Sequence, residues 1–87
     1  MSVFMVERNL KGISMEDLGG AQKATIEKAG EMTAAGTDVK YIRSTFAPED
    51  GRCMCLFEAS TADDVKRLND EASLPYTRVV EALDLTP

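Results

Sequence analysis

The sequence predicts an α+β fold with the element order β-α-β-β-α-β. Three observations predict it: four segments rich in strand-forming residues, two segments with apolar residues at helical spacing behind N-capping residues, and turn residues between these segments. Because 87 residues leave room for one hydrophobic core, residues 1–87 are expected to form a single domain.

The first half of the chain is predicted to hold one strand and one long helix. Residues 3–10 are typical of a strand that ends at the turn residues Lys11 and Gly12. Ser14 is placed to cap a helix that ends at Gly36, although Gly19 and Gly20 would weaken that helix. Its expected buried stripe is Met15, Leu18, Gln22, Ile26, Ala29 and Met32.

The second half is predicted to form a hairpin, a shorter helix and a last strand. Strands over 39–46 and 53–57 flank a loop at 47–51, Thr61 caps the second helix, and 77–85 forms the final strand. This order is that of the ferredoxin-like fold, with an antiparallel four-stranded sheet in the order 4-1-3-2 and both helices on one face. The strand over 53–57 is apolar on both sides and must be covered twice, which predicts a homodimer of the α+β barrel kind.

Composition excludes several classes of function. Fifteen acidic against ten basic residues give a net charge of −5, which disfavours binding to nucleic acid or to an anionic membrane surface. No apolar segment is long enough for a membrane span or a signal peptide, so a cytoplasmic protein is expected. The chain has no histidine, which removes the commonest general base and the commonest metal ligand.

Several polar side chains are predicted to lie on the sheet face away from the helices. With a hairpin centred on 48–50, Tyr41, Arg43 and Thr45 stand opposite Phe57, Cys55 and Cys53 on one side. Strand alternation adds further residues to that side, so a ligand-binding cavity between two sheets is one interpretation and an interfacial salt bridge of Arg43 is the other. The candidate ligand-binding residues are Glu7, Tyr41, Arg43 and Glu81.

The two cysteines are the candidate metal ligands. Cys53 and Cys55 project to the same side of one strand, so their thiolates could share a soft or borderline metal ion. Two ligands do not complete a site, and Glu7 or the partner chain would have to add to them. The alternative is that both are free cysteines acting as small buried hydrophobes in a reducing compartment.

The order of several short motifs resembles a family of short bacterial proteins that includes small nickel-binding, ferredoxin-like homodimers. The resemblance is carried by 6–8 (Val-Glu-Arg), 10–13 (Leu-Lys-Gly-Ile), 41–44 (Tyr-Ile-Arg-Ser), 55–59 (Cys-Leu-Phe-Glu-Ala) and 77–81 (Thr-Arg-Val-Val-Glu). It implies nickel as the cofactor. Members of the family often have histidine at the positions of Asn9 and Asn69, and asparagine does not replace imidazole as a nickel ligand. Cys53, Cys55 and Glu7 are then the remaining candidates.

Two functions are therefore considered. The first is a non-enzymatic, cytoplasmic, homodimeric protein that binds a metal ion, nickel by resemblance, or a small ligand in the inter-sheet cavity. The second is a small-molecule enzyme of the oxygenase or isomerase type, in which Arg43 holds an anionic substrate and a buried carboxylate, Glu7 or Glu81, moves a proton. A dimer that binds nothing is the third alternative.

Overall fold

The computed structural model describes residues 1–87 and contains four strands and two helices in the predicted order. The bounds are β1 (Ser2–Asn9), α1 (Met15–Ala34), β2 (Val39–Ala47), β3 (Arg52–Ala59), α2 (Ala62–Glu71) and β4 (Arg78–Ala82). The sheet is antiparallel with strand order β2-β3-β1-β4, which confirms the predicted ferredoxin-like arrangement. Neither helix combines the length and the apolar character that a membrane span requires.

Both helices begin at the predicted capping residues. The Ser14 hydroxyl accepts a hydrogen bond from the backbone N–H of Asp17 at 3.0 Å, and the Thr61 hydroxyl accepts one from that of Asp64 at 3.2 Å. These hydroxyls satisfy backbone donors that have no partner within the helix. The acidic residues of both first turns lie where the helix dipole stabilises negative charge.

The buried stripe of α1 differs from the predicted one. Thr25, Ala29 and Met32 are its buried residues, whereas Met15 and Ile26 are 73% and 53% exposed. Thr25 is tolerated inside because its hydroxyl donates to the carbonyl of Ala21 at 2.8 Å. Ala29 and Met32 are therefore buried as predicted and Leu18 is half-buried, whereas Met15 and Ile26 are exposed and Thr25 takes an inward position that the apolar pattern did not predict.

The core lies between the helices and one face of the sheet. Its apolar members alternate along β1 and β3, as the pleat of a strand requires, and they pack against both helices. They are Phe4, Val6, Ala29, Met32, Val39, Cys53, Cys55, Phe57, Ala59, Val65 and Leu68.

An irregularity in β2 changes the predicted hairpin register. Tyr41 pairs with Phe57 as predicted, but one extra residue follows on β2, so Arg43 pairs with Leu56 rather than with a cysteine. Directly paired residues point to the same face of an antiparallel sheet, so Tyr41 faces the helices while Arg43 lies on the opposite face. The predicted pairing of Thr45 with Cys53 is also wrong, because Thr45 pairs with Met54.

The sheet face away from the helices, called the outer face here, is crossed by the end of the chain. Arg43 belongs to β2 at one edge of the sheet, and its guanidinium forms an ion pair with Asp84, which follows β4 at the other edge. The chain therefore turns back over the outer face after β4, at least as far as Asp84. Leu83 and Leu85 remain 81% and 86% exposed.

Gly51 holds the hairpin against the turn after β1. Its φ of 77° lies in the left-handed region, and a Cβ atom there would overlap the backbone of Lys11. The carbonyl of Gly51 accepts a hydrogen bond from the N–H of Leu10 at 2.7 Å. This close approach fixes the start of the β1–α1 connection, which forms one wall of the site described next.

Candidate functional site

A cavity of about 430 Å³ lies between the first half of α1 and the sheet. Three of the six residues of α1 that line it, Gly19, Ala21 and Thr25, are small. Nine of its fifteen lining residues are apolar, with Leu10, Leu18 and Phe46 among them. The volume is within the range of small-molecule sites, and the mixture of apolar walls with a few polar groups is typical of them.

Both cysteines line this cavity. Cys53 and Cys55 are buried on the helix-facing side of β3, and their sulfur atoms lie 3.9 Å apart. The Ser44 hydroxyl donates to the Cys55 sulfur at 2.9 Å from the neighbouring strand. Two thiolates that bind one tetrahedral metal ion at about 2.3 Å have their sulfurs about 3.8 Å apart, so this spacing matches a shared ion.

Arg8 is the charged residue of the cavity. It follows Phe4 and Val6 in the inward phase of β1 and is only 7% exposed. Its guanidinium donates to the Cys55 sulfur at 3.5 Å, to the Pro75 carbonyl at 3.2 Å and to the side-chain oxygen of Asn69 at 2.6 Å. Arg8 thus joins β1 to β3, to α2 and to the segment that follows α2.

Asn69 is fully buried and contacts Arg8, which in turn contacts Cys55. Its amide nitrogen donates to the Val65 carbonyl at 2.8 Å, which orients its oxygen toward the guanidinium. Asn9, the other position at which the resembling family often has histidine, is exposed at the end of β1, where its oxygen accepts from the N–H of Lys11. Position 69 is therefore joined to Cys55 through the guanidinium of Arg8, and position 9 is not part of this network.

The environment of Cys53 favours the protonated thiol. Burial removes the thiolate from water, and the neighbouring Cys55 adds charge repulsion and a hydrogen bond, so the pKa of Cys53 rises to about 11. The positive charge of Arg8 opposes this increase without reversing it. At neutral pH a metal ion would therefore have to displace the Cys53 proton.

The structure does not bring the predicted metal ligands together. Cys53 and Cys55 face the helices, whereas Glu7 lies on the outer face, where its carboxylate pairs with Arg78. Residues next to each other on β1 point to opposite faces, so Arg8 and not Glu7 reaches the thiols. No group of three or more Cys, Asp or Glu side chains is arranged to hold a metal ion.

The predicted ligand-binding residues are also divided. Tyr41 is on the helix side, where its ring packs edge-on against Phe57 and its hydroxyl bonds to Ser44. Glu81 pairs with Phe4 and so is on the helix side as well, exposed on the edge strand β4. Arg43 and Glu7 share the outer face, but each has its own ion-pair partner. The predicted inter-sheet cluster is therefore not formed, and its use in an enzyme has no support.

Arg8 and Ser44 belong to the site, although neither is among the residues predicted for it from the sequence. A charged residue in phase with Phe4 and Val6 is a signal for a buried functional arginine, because charged side chains are seldom buried without a partner. Ser44 had no such signal, since its position opposite Cys55 depends on the extra residue in β2.

Comparison with known proteins agrees with this fold. The crystal structure of SCO4226 from Streptomyces coelicolor A3(2) superposes with a TM-score of 0.82 at 21% sequence identity, covering 98% of this chain and 100% of that one. No curated protein matches the chain. The family model described as "SCO4226-like: Nickel responsive protein SCO4226-like" matches residues 4–82. Since that match spans most of the sequence, this chain belongs to the SCO4226-like family of nickel-responsive proteins.

Proposed function

We propose that this protein is a non-enzymatic metal-binding protein that holds a nickel ion at Cys53 and Cys55. The observation that carries the proposal is the pair of buried thiols whose sulfurs lie 3.9 Å apart at a cavity. Nickel as the metal is supported by the family description. Free, reduced cysteines suit a reducing compartment, and we therefore assign the protein to the cytoplasm.

The residues of the chain supply part of a coordination sphere. Cys53 and Cys55 would give two thiolates, and the Ser44 oxygen, 2.9 Å from the Cys55 sulfur, is an additional donor atom beside them. Thiolates are soft ligands that suit a borderline metal ion. The two negative charges of the thiolates balance the two positive charges of a divalent ion. Binding of the ion therefore adds no net charge next to Arg8.

Removing either thiol is expected to weaken nickel binding strongly. Cys53→Ser and Cys55→Ser should each raise the dissociation constant by roughly a hundredfold or more, because a hydroxyl is a much poorer ligand for nickel than a thiolate. The measurement is a nickel titration that follows the thiolate-to-nickel absorption band. Met54→Leu is the matched control, since it removes a sulfur from the same strand on the outer face. Equal binding by all four proteins would refute the site.

Nickel affinity is expected to rise with pH. Since the pKa of Cys53 is about 11, its thiol is protonated throughout the neutral range and each bound ion must displace that proton. The contribution of Cys53 alone is about tenfold tighter binding per pH unit, continuing until the pH approaches 11. Titrations between about pH 6.5 and pH 8.5 measure how much the logarithm of the nickel affinity rises per pH unit. This slope should be smaller by about one in Cys53→Ser, because that variant has no Cys53 proton to displace. A flat profile would contradict proton displacement.

A histidine at position 69 is expected to strengthen the nickel site. Asn69 and Cys55 both contact the guanidinium of Arg8, so Asn69→His would add an imidazole to the same buried cluster as the thiols and is expected to tighten binding roughly tenfold or more. Asn9→His is the control, since Asn9 is exposed at the end of β1 and should leave binding unchanged. Thermal unfolding verifies that both variants fold. Equal effects of the two substitutions would show that position 69 has no special access to the metal.

The outer face supports our proposal that two copies of the chain associate. Half-buried apolar side chains line this face, and the exposed Leu83 and Leu85 lie in the segment that follows β4. The half-buried residues are Val3 and Met5 on β1, Met54 and Leu56 on β3, and Val80 on the edge strand β4. A symmetric dimer would bury this surface and offset the small core of an 87-residue chain.

Dimer formation is expected to depend on the exposed leucines. Leu85→Asp should raise the dimer dissociation constant roughly a thousandfold, because each of the two copies loses about 2 kcal/mol of apolar burial. Light scattering across a dilution series measures this constant. Ile26→Asp is the control, since it puts the same charge on an exposed apolar position of α1. A wild-type protein that stays monomeric at high concentration would disprove the proposal.

A further inference from the structure

We infer that the cavity under α1 binds a small organic anion, whose carboxylate pairs with Arg8 while its apolar body fills the space between α1 and the sheet. The inference concerns an organic ligand and does not depend on the nickel proposal. It rests on the charge of Arg8, the unused hydrogen-bonding capacity of its guanidinium and the character of the cavity walls.

The charge of Arg8 has no counter-ion in the chain. The five ion pairs of the structure use Lys28, which forms two, Arg43, Arg67 and Arg78, and all involve partly exposed side chains. Arg8 is instead bonded to a cysteine sulfur, a backbone carbonyl and an amide oxygen, and no carboxylate is among its partners. A buried charge without an opposite charge is unfavourable, so an anion that enters the cavity gains the attraction that this guanidinium leaves unused.

The guanidinium also has donors to spare. Arginine carries five N–H groups, and three of those of Arg8 are used in its hydrogen bonds. The remaining two suit the two oxygens of a carboxylate, which arginine binds in a planar, bidentate manner. Because its bonds to Asn69 and Pro75 already fix the side chain, a ligand would meet an ordered group and lose little entropy in orienting it.

The walls determine what the rest of the ligand must be. Besides Arg8 the cavity is lined by apolar residues that include Leu10, Ile13, Leu18 and Phe46, and its volume of about 430 Å³ accommodates a compact hydrocarbon body. An inorganic anion would leave these apolar surfaces unfilled and would bring hydrated oxygens against them. An organic cation would be repelled by Arg8, because it would not bring the two thiolates that accompany a metal ion. An organic acid with one negative charge and an aromatic or aliphatic body fits both the charged and the apolar parts of the lining.

The test compares 2-naphthoate with 2-naphthamide, a neutral compound of nearly the same shape, on metal-free protein by isothermal titration calorimetry. We expect naphthoate to bind at least about tenfold more tightly, which corresponds to one charge-assisted hydrogen-bonding contact. Arg8→Met should abolish the difference, while Arg52→Met, at an exposed position on the neighbouring strand, should preserve it. Equal affinities in the wild-type protein would overturn the inference.

A second pair of variants leaves Arg8 in place. Gly19 lines the cavity and Gly20 does not, and a Cβ added at either glycine meets no atom within 4 Å. Leucine favours a helix more than glycine does, so Gly19→Leu and Gly20→Leu should both fold. We expect Gly19→Leu to reduce naphthoate affinity at least about tenfold by filling the cavity, with Gly20→Leu close to wild type. Unchanged affinity in Gly19→Leu would place the anion elsewhere and refute the inference.

The outcome is separable from that of the nickel proposal. Naphthoate binding is measured with a chelator present, so a protein that takes up no nickel can still bind the anion. Conversely, a protein that binds nickel through its cysteines but does not distinguish naphthoate from naphthamide would retain the metal site and lose the anion site.

Discussion

The buried guanidinium of Arg8 is the interaction around which the interior of this domain is arranged. Strand alternation places it behind Phe4 and Val6, on the side of the sheet that the helices cover. From there it reaches the thiol of Cys55, the amide of Asn69 and the carbonyl of Pro75, so one side chain connects β1, β3, α2 and the chain after α2. Removing it would leave the Asn69 oxygen without its donor in a site closed to water, which costs more than one hydrogen bond.

The elements of the fold could be predicted from the sequence because their signals are local. Ser14 and Thr61 cap the two helices as their spacing to the following acidic residues indicates, and the strand order follows from β-α-β-β-α-β. These features depend on neighbours within a few residues. The sheet face to which each strand residue points was harder to predict, because it depends on the register of strand pairing. A single extra residue in one strand moves every later side chain of that strand to the other face.

The extra residue after Tyr41 shows how such an error arises. Tyr41 pairs with Phe57, as predicted. After Tyr41 the register differs from the predicted one, and Arg43 pairs with Leu56 instead of Cys55. Ser44 then occupies the place next to Cys55, and its hydroxyl bonds to the thiol. No pattern of hydrophobicity marks this position, since the bulge is flanked by residues that suit a strand in either register. The candidate site was therefore predictable in its two cysteines and not in its other members.

The arginines on the two faces of the sheet differ in their burial and in their partners, and this difference indicates where the candidate site lies. On the outer face Arg43 and Arg78 pair with Asp84 and Glu7, all within reach of water, where an ion pair is easily formed and contributes little to stability. On the helix side Arg8 is removed from water and lacks an acidic partner, so its charge still affects whatever enters. Because electrostatic attraction is stronger in a less polar environment, the same arginine chemistry is structural on one face and available for binding on the other. In the functions proposed for the cavity, two thiols and a buried guanidinium supply the reactive and charged groups that the chain, which has no histidine, cannot take from imidazole.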